Sequence, residues 1–150
     1  MKNIFEAAIA QEVIDRINNL TPTTQAQWGK MTVGQMLAHL CVPYDFIYTD
    51  KYPKPGAIKR FLLKTFVKKA VVGPKPYPKN NPTAPEFKIT DERDFQTEKN
   101  RLIANIKKTQ ELGEAHFDGK DYPNFGKLTI EEWNGLFYKH IDHHMKQFGV

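Results

Sequence analysis

Hydrophobic residues recur along this chain at three- and four-residue spacings. Ile4, Phe5, Ala8, Ile9, Val13, Ile14 and Ile17 form one stripe, which predicts a helix over residues 3–19, stopped by Thr21-Pro22. Thr32 and Gln35 make a T-x-x-Q capping box ahead of Val33, Met36, Leu37, Leu40, Tyr44 and Ile47. They predict a second helix over 32–49, bent by Pro43, which removes one backbone donor. Thr90 and Asp91 open a third helix over 91–112, with Phe95, Leu102, Ile103, Ile106 and Leu112 in helical period and Gly113 as its C-terminal cap. After a loop over 114–128, a second capping box (Thr129 and Glu132) opens a fourth helix over 130–148.

Seven of the ten prolines fall between Tyr52 and Glu86, bracketing a helical stretch over 56–72. This reads as a long crossover with a short helix embedded in it. Four long amphipathic helices and no strand pattern predict an all-α fold, a four-helix bundle. The 150 residues have the size of one ordinary domain, so a single domain over 1–150 is expected.

Composition narrows the setting. No apolar run approaches the roughly 18–20 residues that a membrane helix needs, and Glu6, Glu12, Asp15 and Arg16 interrupt the first stripe where a signal peptide would be uncharged. A cytoplasmic protein is expected. The single cysteine, Cys41, can form neither an internal disulfide nor a Cys-based zinc site, and reads as a buried, inert thiol. Any metal must be held by His, Asp or Glu.

The net charge is +5, yet residues 51–85 hold nine of the 22 basic residues and none of the 17 acidic ones. The remainder, 13 basic against 17 acidic, is net negative. In the embedded helix, Leu62, Leu63, Phe66, Val67 and Ala70 lie on one side and Arg60, Lys64 and Lys68 on the other. The expectation is that the apolar side packs on the bundle and the lysines stay solvated, without membrane association, forming an electropositive rim that draws an anionic substrate. No helix-turn-helix, zinc finger or RNA-binding motif accompanies the basic residues, so nucleic acid is not expected. Phosphate-binding glycine loops, nucleophile elbows and dinucleotide fingerprints are absent as well.

Three of the five histidines crowd the last helix. Trp133, Phe137, His140, His144 and Phe148 share one stripe, with His143 at its edge. Imidazoles one turn apart on an interior stripe can reach one metal ion, and HxxxH is the helical element of many metal sites. The same pattern also suits buried histidines bonded to carbonyls or water, or a charged helix end. His39, at the border of the buried face of the second helix, is the candidate third ligand. His116 lies in the loop before the fourth helix and reads as a surface residue.

The stretches WGKMTVGQMLAHL (residues 28–40), FGKLTIEEW (125–133) and YKHIDHHMKQF (138–148) resemble the DinB/YfiT-like superfamily, and its branch of small domains of uncharacterised function in particular. The resemblance implies a DinB-like four-helix bundle with a divalent metal held by one histidine of the second helix and an HxxxH pair of the fourth: His39, His140 and His144. It implies homodimerisation, which the amphipathic crossover helix also suits. Some members of the superfamily are metal-dependent thiol transferases, and others resemble hydrolases or isomerases. Relatives often carry His-Pro where this chain has Tyr122-Pro123, with Tyr122 or His116 as the candidate substitutes.

Three neutral imidazoles suit Zn²⁺, Ni²⁺ or Fe²⁺ with an open position for water or a substrate thiol. The expected function is therefore a metal-dependent enzyme acting on a small, anionic or thiol-containing molecule, by thiol transfer or by metal-assisted hydrolysis. The competing expectation is a non-catalytic metal- or ligand-binding or stress-response module. No catalytic residue is assigned. Glu98 is the one carboxylate whose helical position could bring it to the site as a base.

Overall fold

The structure is a computed structural model describing residues 1–150. It is mostly helical. α1 spans Ala7–Asn18 and α2 spans Val33–Tyr48. α3, in the crossover, runs over 57–72, with a π-helical turn at Leu63–Val67 between Ala57–Leu62 and Lys68–Val72. α4 spans Phe95–Leu112 and α5 is a single turn, Glu114–Phe117. α6 runs over 130–147, from Ile130–Asn134 through a π-helical turn at Gly135–Lys139 into His140–Gln147. No helix is long and apolar enough to cross a membrane.

Both sequence-predicted capping boxes form. Thr32 accepts from the Gln35 amide while Gln35 reaches back to the Thr32 amide, and Thr129 and Glu132 do the same at α6. Other boundaries differ from the expected ones for identifiable reasons. The first helix begins at Ala7 instead of residue 3 because Asn134 engages the chain ahead of it: its amide oxygen accepts from the Ile4 N–H and its amide nitrogen donates to the Lys2 carbonyl, both at 2.9 Å. The third long helix opens at Phe95, where the Asp94 carboxylate caps the Thr97 amide at 2.8 Å. Asp91 pairs with Arg93 instead.

The expected loop over 114–128 contains α5 and a two-stranded antiparallel ribbon, β1 (Asp121–Tyr122) and β2 (Gly126–Lys127), pairing Asp121 with Lys127 and Tyr122 with Gly126. α2 lies at the centre with residues buried all round, runs through Pro43 without a break, and packs chiefly on α4; α1 packs on α4 and on the C-terminal part of α6. Their apolar faces join 29 buried residues in one cluster.

The crossover is fastened to α6 at one close approach. A Cβ at Gly135 would fall on the Val72 carbonyl, so only glycine lets α3 and α6 touch backbone to backbone. One turn on, the Lys139 ammonium donates to the carbonyls of Ala70 (3.1 Å), Gly73 (2.5 Å) and Lys75 (3.2 Å), closing the C-terminus of α3. Ion pairs Lys59–Glu86, Arg60–Asp121 and Lys68–Glu132 hold the rest. The expected packing of α3 is not observed. Leu62, Phe66, Val67 and Ala70 are exposed, and only Leu63 and Val71 pack against the core, with Val72 inside it. The backbone contact at Gly135 comes from the C-terminal turn of α3; the preceding turns are tied to the body by the ion pairs and by Leu63, which leaves Leu62, Phe66 and Val67 facing solvent.

Candidate metal centre

His39, His140 and His144 converge. α2 supplies the first, and the last segment of α6 supplies the other two one turn apart. All three are buried, and one ring nitrogen from each lies within 4.8 Å of the others. His39 Nε2 is 2.8 Å from His140 Nε2. The rings stack edge to face around a common centre, with centroids 4.7 Å (His39–His144), 4.8 Å (His39–His140) and 5.0 Å (His140–His144) apart.

The outward nitrogens show why these rings present Nε2 inward. His39 Nδ1–H donates to the Phe87 carbonyl at 2.9 Å, and His144 Nδ1–H donates to Gln147 Oε1 at 2.6 Å. Gln147 is held in turn by donating its amide to the Trp28 carbonyl at 2.7 Å. A ring that donates from Nδ1 leaves a lone pair on Nε2, which is the ligand form of histidine. The crossover thus contributes to the site through Phe87, whose carbonyl belongs to the short 3₁₀ turn Pro85–Phe87 and whose ring packs against His39 and His140. Tyr77, from the same segment, lies edge-on to His140 and His143.

Electrostatics keeps the cluster neutral. Burial lowers the pKa of all three; burial first and the neighbouring rings second push His140 well below the ordinary histidine value, and burial together with His39 brings His144 down to about 3. Neutral imidazoles do not repel one another; with a lone pair on His39 Nε2, the 2.8 Å contact is a hydrogen bond donated by His140 Nε2–H, so His140 binds a cation through Nε2 in its other tautomer. A divalent ion bonded to imidazoles at about 2.0–2.1 Å sets two nitrogens roughly 3.3 Å apart. His39 and His140 stand near that separation, and the ligand nitrogens of all three lie within 4.8 Å of one another. The three residues therefore fit a single metal ion.

Other candidates from the sequence lie elsewhere. Glu98 does not face the histidines; its carboxylate is held by Arg93 (3.4 Å) and Arg101 (2.6 Å), and Arg101 also binds the buried Asp45 at 3.0 Å. His116 is exposed and pairs with Lys120. Tyr122 is buried among Phe46, Phe125 and Trp133, and its hydroxyl has no hydrogen-bond partner. Cys41 is buried, and burial pushes its thiol up to about 12. His143 stands at the rim, half-buried, 5.1 Å from His144 and 5.9 Å from Trp28 between ring centroids. Sequence reasoning missed Gln147 and the Phe87 carbonyl. The first had a readable signal, an amide three residues after a stripe histidine; the second belongs to a distant loop and had none.

Among curated proteins and among solved structures, none matches the chain. One family does, over residues 5–149, which takes in all three histidines and both helices that carry them. On that match the chain belongs to the family described as Protein of unknown function (DUF1569).

Proposed function

We propose that His39, His140 and His144 hold one divalent metal ion, Zn²⁺, Ni²⁺ or Fe²⁺, through their Nε2 atoms, in a DinB-like four-helix bundle. The observation that carries this reading is the pair of outward hydrogen bonds. Phe87 and Gln147 take the Nδ1 protons of two rings and so aim two buried lone pairs at the third ring. Three protein ligands leave coordination positions open, and the ion would supply a Lewis acid that lowers the pKa of a thiol or water bound there.

The protein's own part is to orient and enclose. Phe87 and Tyr77 wall the histidines with aromatic rings, and His143 borders them at the rim with a titratable ring. On this reading the protein is a metal-dependent enzyme for a small anionic or thiol-containing substrate, with thiol transfer the leading reaction and hydrolysis the next. A specific observation favours the competing reading of a non-catalytic binding module: no carboxylate joins the cluster, and Glu98 is committed to arginines.

Titrating the metal-loaded protein with low-molecular-weight thiols and electrophiles, following both thermal stability and turnover, separates the two. Metal-dependent turnover lost in His140→Ala supports the enzyme. Stabilisation without turnover supports the module. No response to any thiol removes the transferase reading and leaves hydrolysis to be tested alone.

A further inference from the structure

The outward face of α3 has no role in the histidine centre and no cover in the structure. Ile58, Phe61, Leu62 and Phe66 are 81%, 64%, 48% and 73% exposed, at positions i, i+3, i+4 and i+8 of one helix face. Side chains this exposed project from the surface, and of the four only Phe61 also borders a cleft.

The charges around them are of one sign. Lys59 and Lys64 flank the stripe and Lys69 follows it, in a segment with nine basic residues and no acidic one. Lys59, Arg60 and Lys68 reach back to Glu86, Asp121 and Glu132 on the body of the protein, whereas Lys64 and Lys69 have no carboxylate partner. Beside Phe61 opens a cleft of about 690 Å³ walled by Lys54, Arg60, Lys64 and Lys127, with Asp121 its one acid.

The geometry points to an anionic lipid bilayer surface as the occupant of this face: Ile58, Phe61, Leu62 and Phe66 enter the acyl boundary while Lys54, Lys64 and Lys69 meet the headgroup phosphates. Two features choose the bilayer over a second copy of the chain. A two-fold interface would set two such basic segments against each other, and protruding apolar side chains flanked by lysines are the pattern of helices that lie in a membrane interface. The cleft supplies a seat for a headgroup next to the inserted Phe61. This inference does not rest on the metal centre.

Co-sedimentation of the full chain with vesicles tests it. Vesicles containing phosphatidylglycerol should bind the protein at least about tenfold more tightly than pure phosphatidylcholine, because each lysine near an anionic surface contributes about fivefold. Raising salt should release it. Phe61→Ser with Phe66→Ser should weaken binding about tenfold or more, given the transfer free energy of two phenylalanines, and Lys64→Glu with Lys69→Glu should abolish it. All four positions are exposed, so an unchanged thermal midpoint shows that the variants fold. Absence of binding to phosphatidylglycerol vesicles overturns the inference, as does binding that survives the serine pair, which would be charge adsorption alone. Sedimentation showing a dimer that the serine pair dissolves would give the face to a second copy. Stripe-dependent binding to poly-glutamate without vesicle binding would give it to an acidic protein.

Discussion

Replacing Gln147 by leucine should separate the fold from the metal centre. Gln147 makes two hydrogen bonds inside the protein, accepting from His144 Nδ1–H at 2.6 Å and donating to the Trp28 carbonyl at 2.7 Å. Leucine fills a similar volume, so the loss is polar. Two bonds removed, with the Trp28 carbonyl and the His144 donor both left without their partner, should cost the metal-free protein about 1–2 kcal/mol. For a chain of this length that lowers the thermal midpoint by roughly 2–8 °C. Metal affinity should fall further, by about 10–100-fold, because the His144 ring is no longer held with Nε2 inward. Competition against a chelator of known affinity reads the second number and thermal melting of the stripped protein reads the first. Gln147→Glu keeps the acceptor for Nδ1–H and loses the donor to Trp28, so it should melt lower yet bind metal at least as well as wild type. A lowered midpoint with unchanged affinity in Gln147→Leu would refute the reasoning and reduce Gln147 to a tie between α6 and the segment before α2.

Three further expectations follow from other parts of the structure. Tyr122→Phe removes a buried hydroxyl that has no partner; unfolding in denaturant should show the variant as stable as wild type or more so by about 1 kcal/mol, and any turnover should be retained, whereas a loss of turnover would return Tyr122 to the reacting centre. Arg101→Leu leaves the buried carboxylates of Asp45 and Glu98 without their shared partner, and the same unfolding assay should show a loss of about 3 kcal/mol or more. Cys41, buried with its thiol pushed up to about 12, should resist an aromatic disulfide reagent at neutral pH in the folded protein and react stoichiometrically in denaturant.

What the sequence made legible was local. Both capping boxes form because a Thr hydroxyl and a Gln or Glu three residues on satisfy each other's backbone without outside help. The α6 stripe follows from the helical period: Trp133, Phe137, His140, His144 and Phe148 are all buried, although the π-helical turn at Gly135–Lys139 inserts an irregular turn that periodicity does not predict. The start of α4 differs from the expected one because Asp91 and Asp94 are both competent caps by type. Only the tertiary pairing of Arg93 with Asp91 and Glu98 shows which one is free to cap Thr97.

Long-range features were not readable from spacing. Amphipathicity showed that α3 has two faces but not which one meets the body, and the answer turns on a backbone contact between Gly135 and Val72, 63 residues apart. The three histidines could be proposed as a set, since two share a stripe. Their orientation by Phe87 and Gln147, and the commitment of Glu98 to arginines, come from chain segments that only the fold brings together.

The most direct test of the metal centre is anomalous diffraction from crystals of chelator-stripped protein reloaded with Zn²⁺, recorded on both sides of the zinc edge. One peak about 2.0–2.1 Å from the Nε2 atoms of His39, His140 and His144, absent from His39→Ala, is the predicted result. A reloaded crystal with no peak between these rings, or with the ion bound instead through His143, would contradict it.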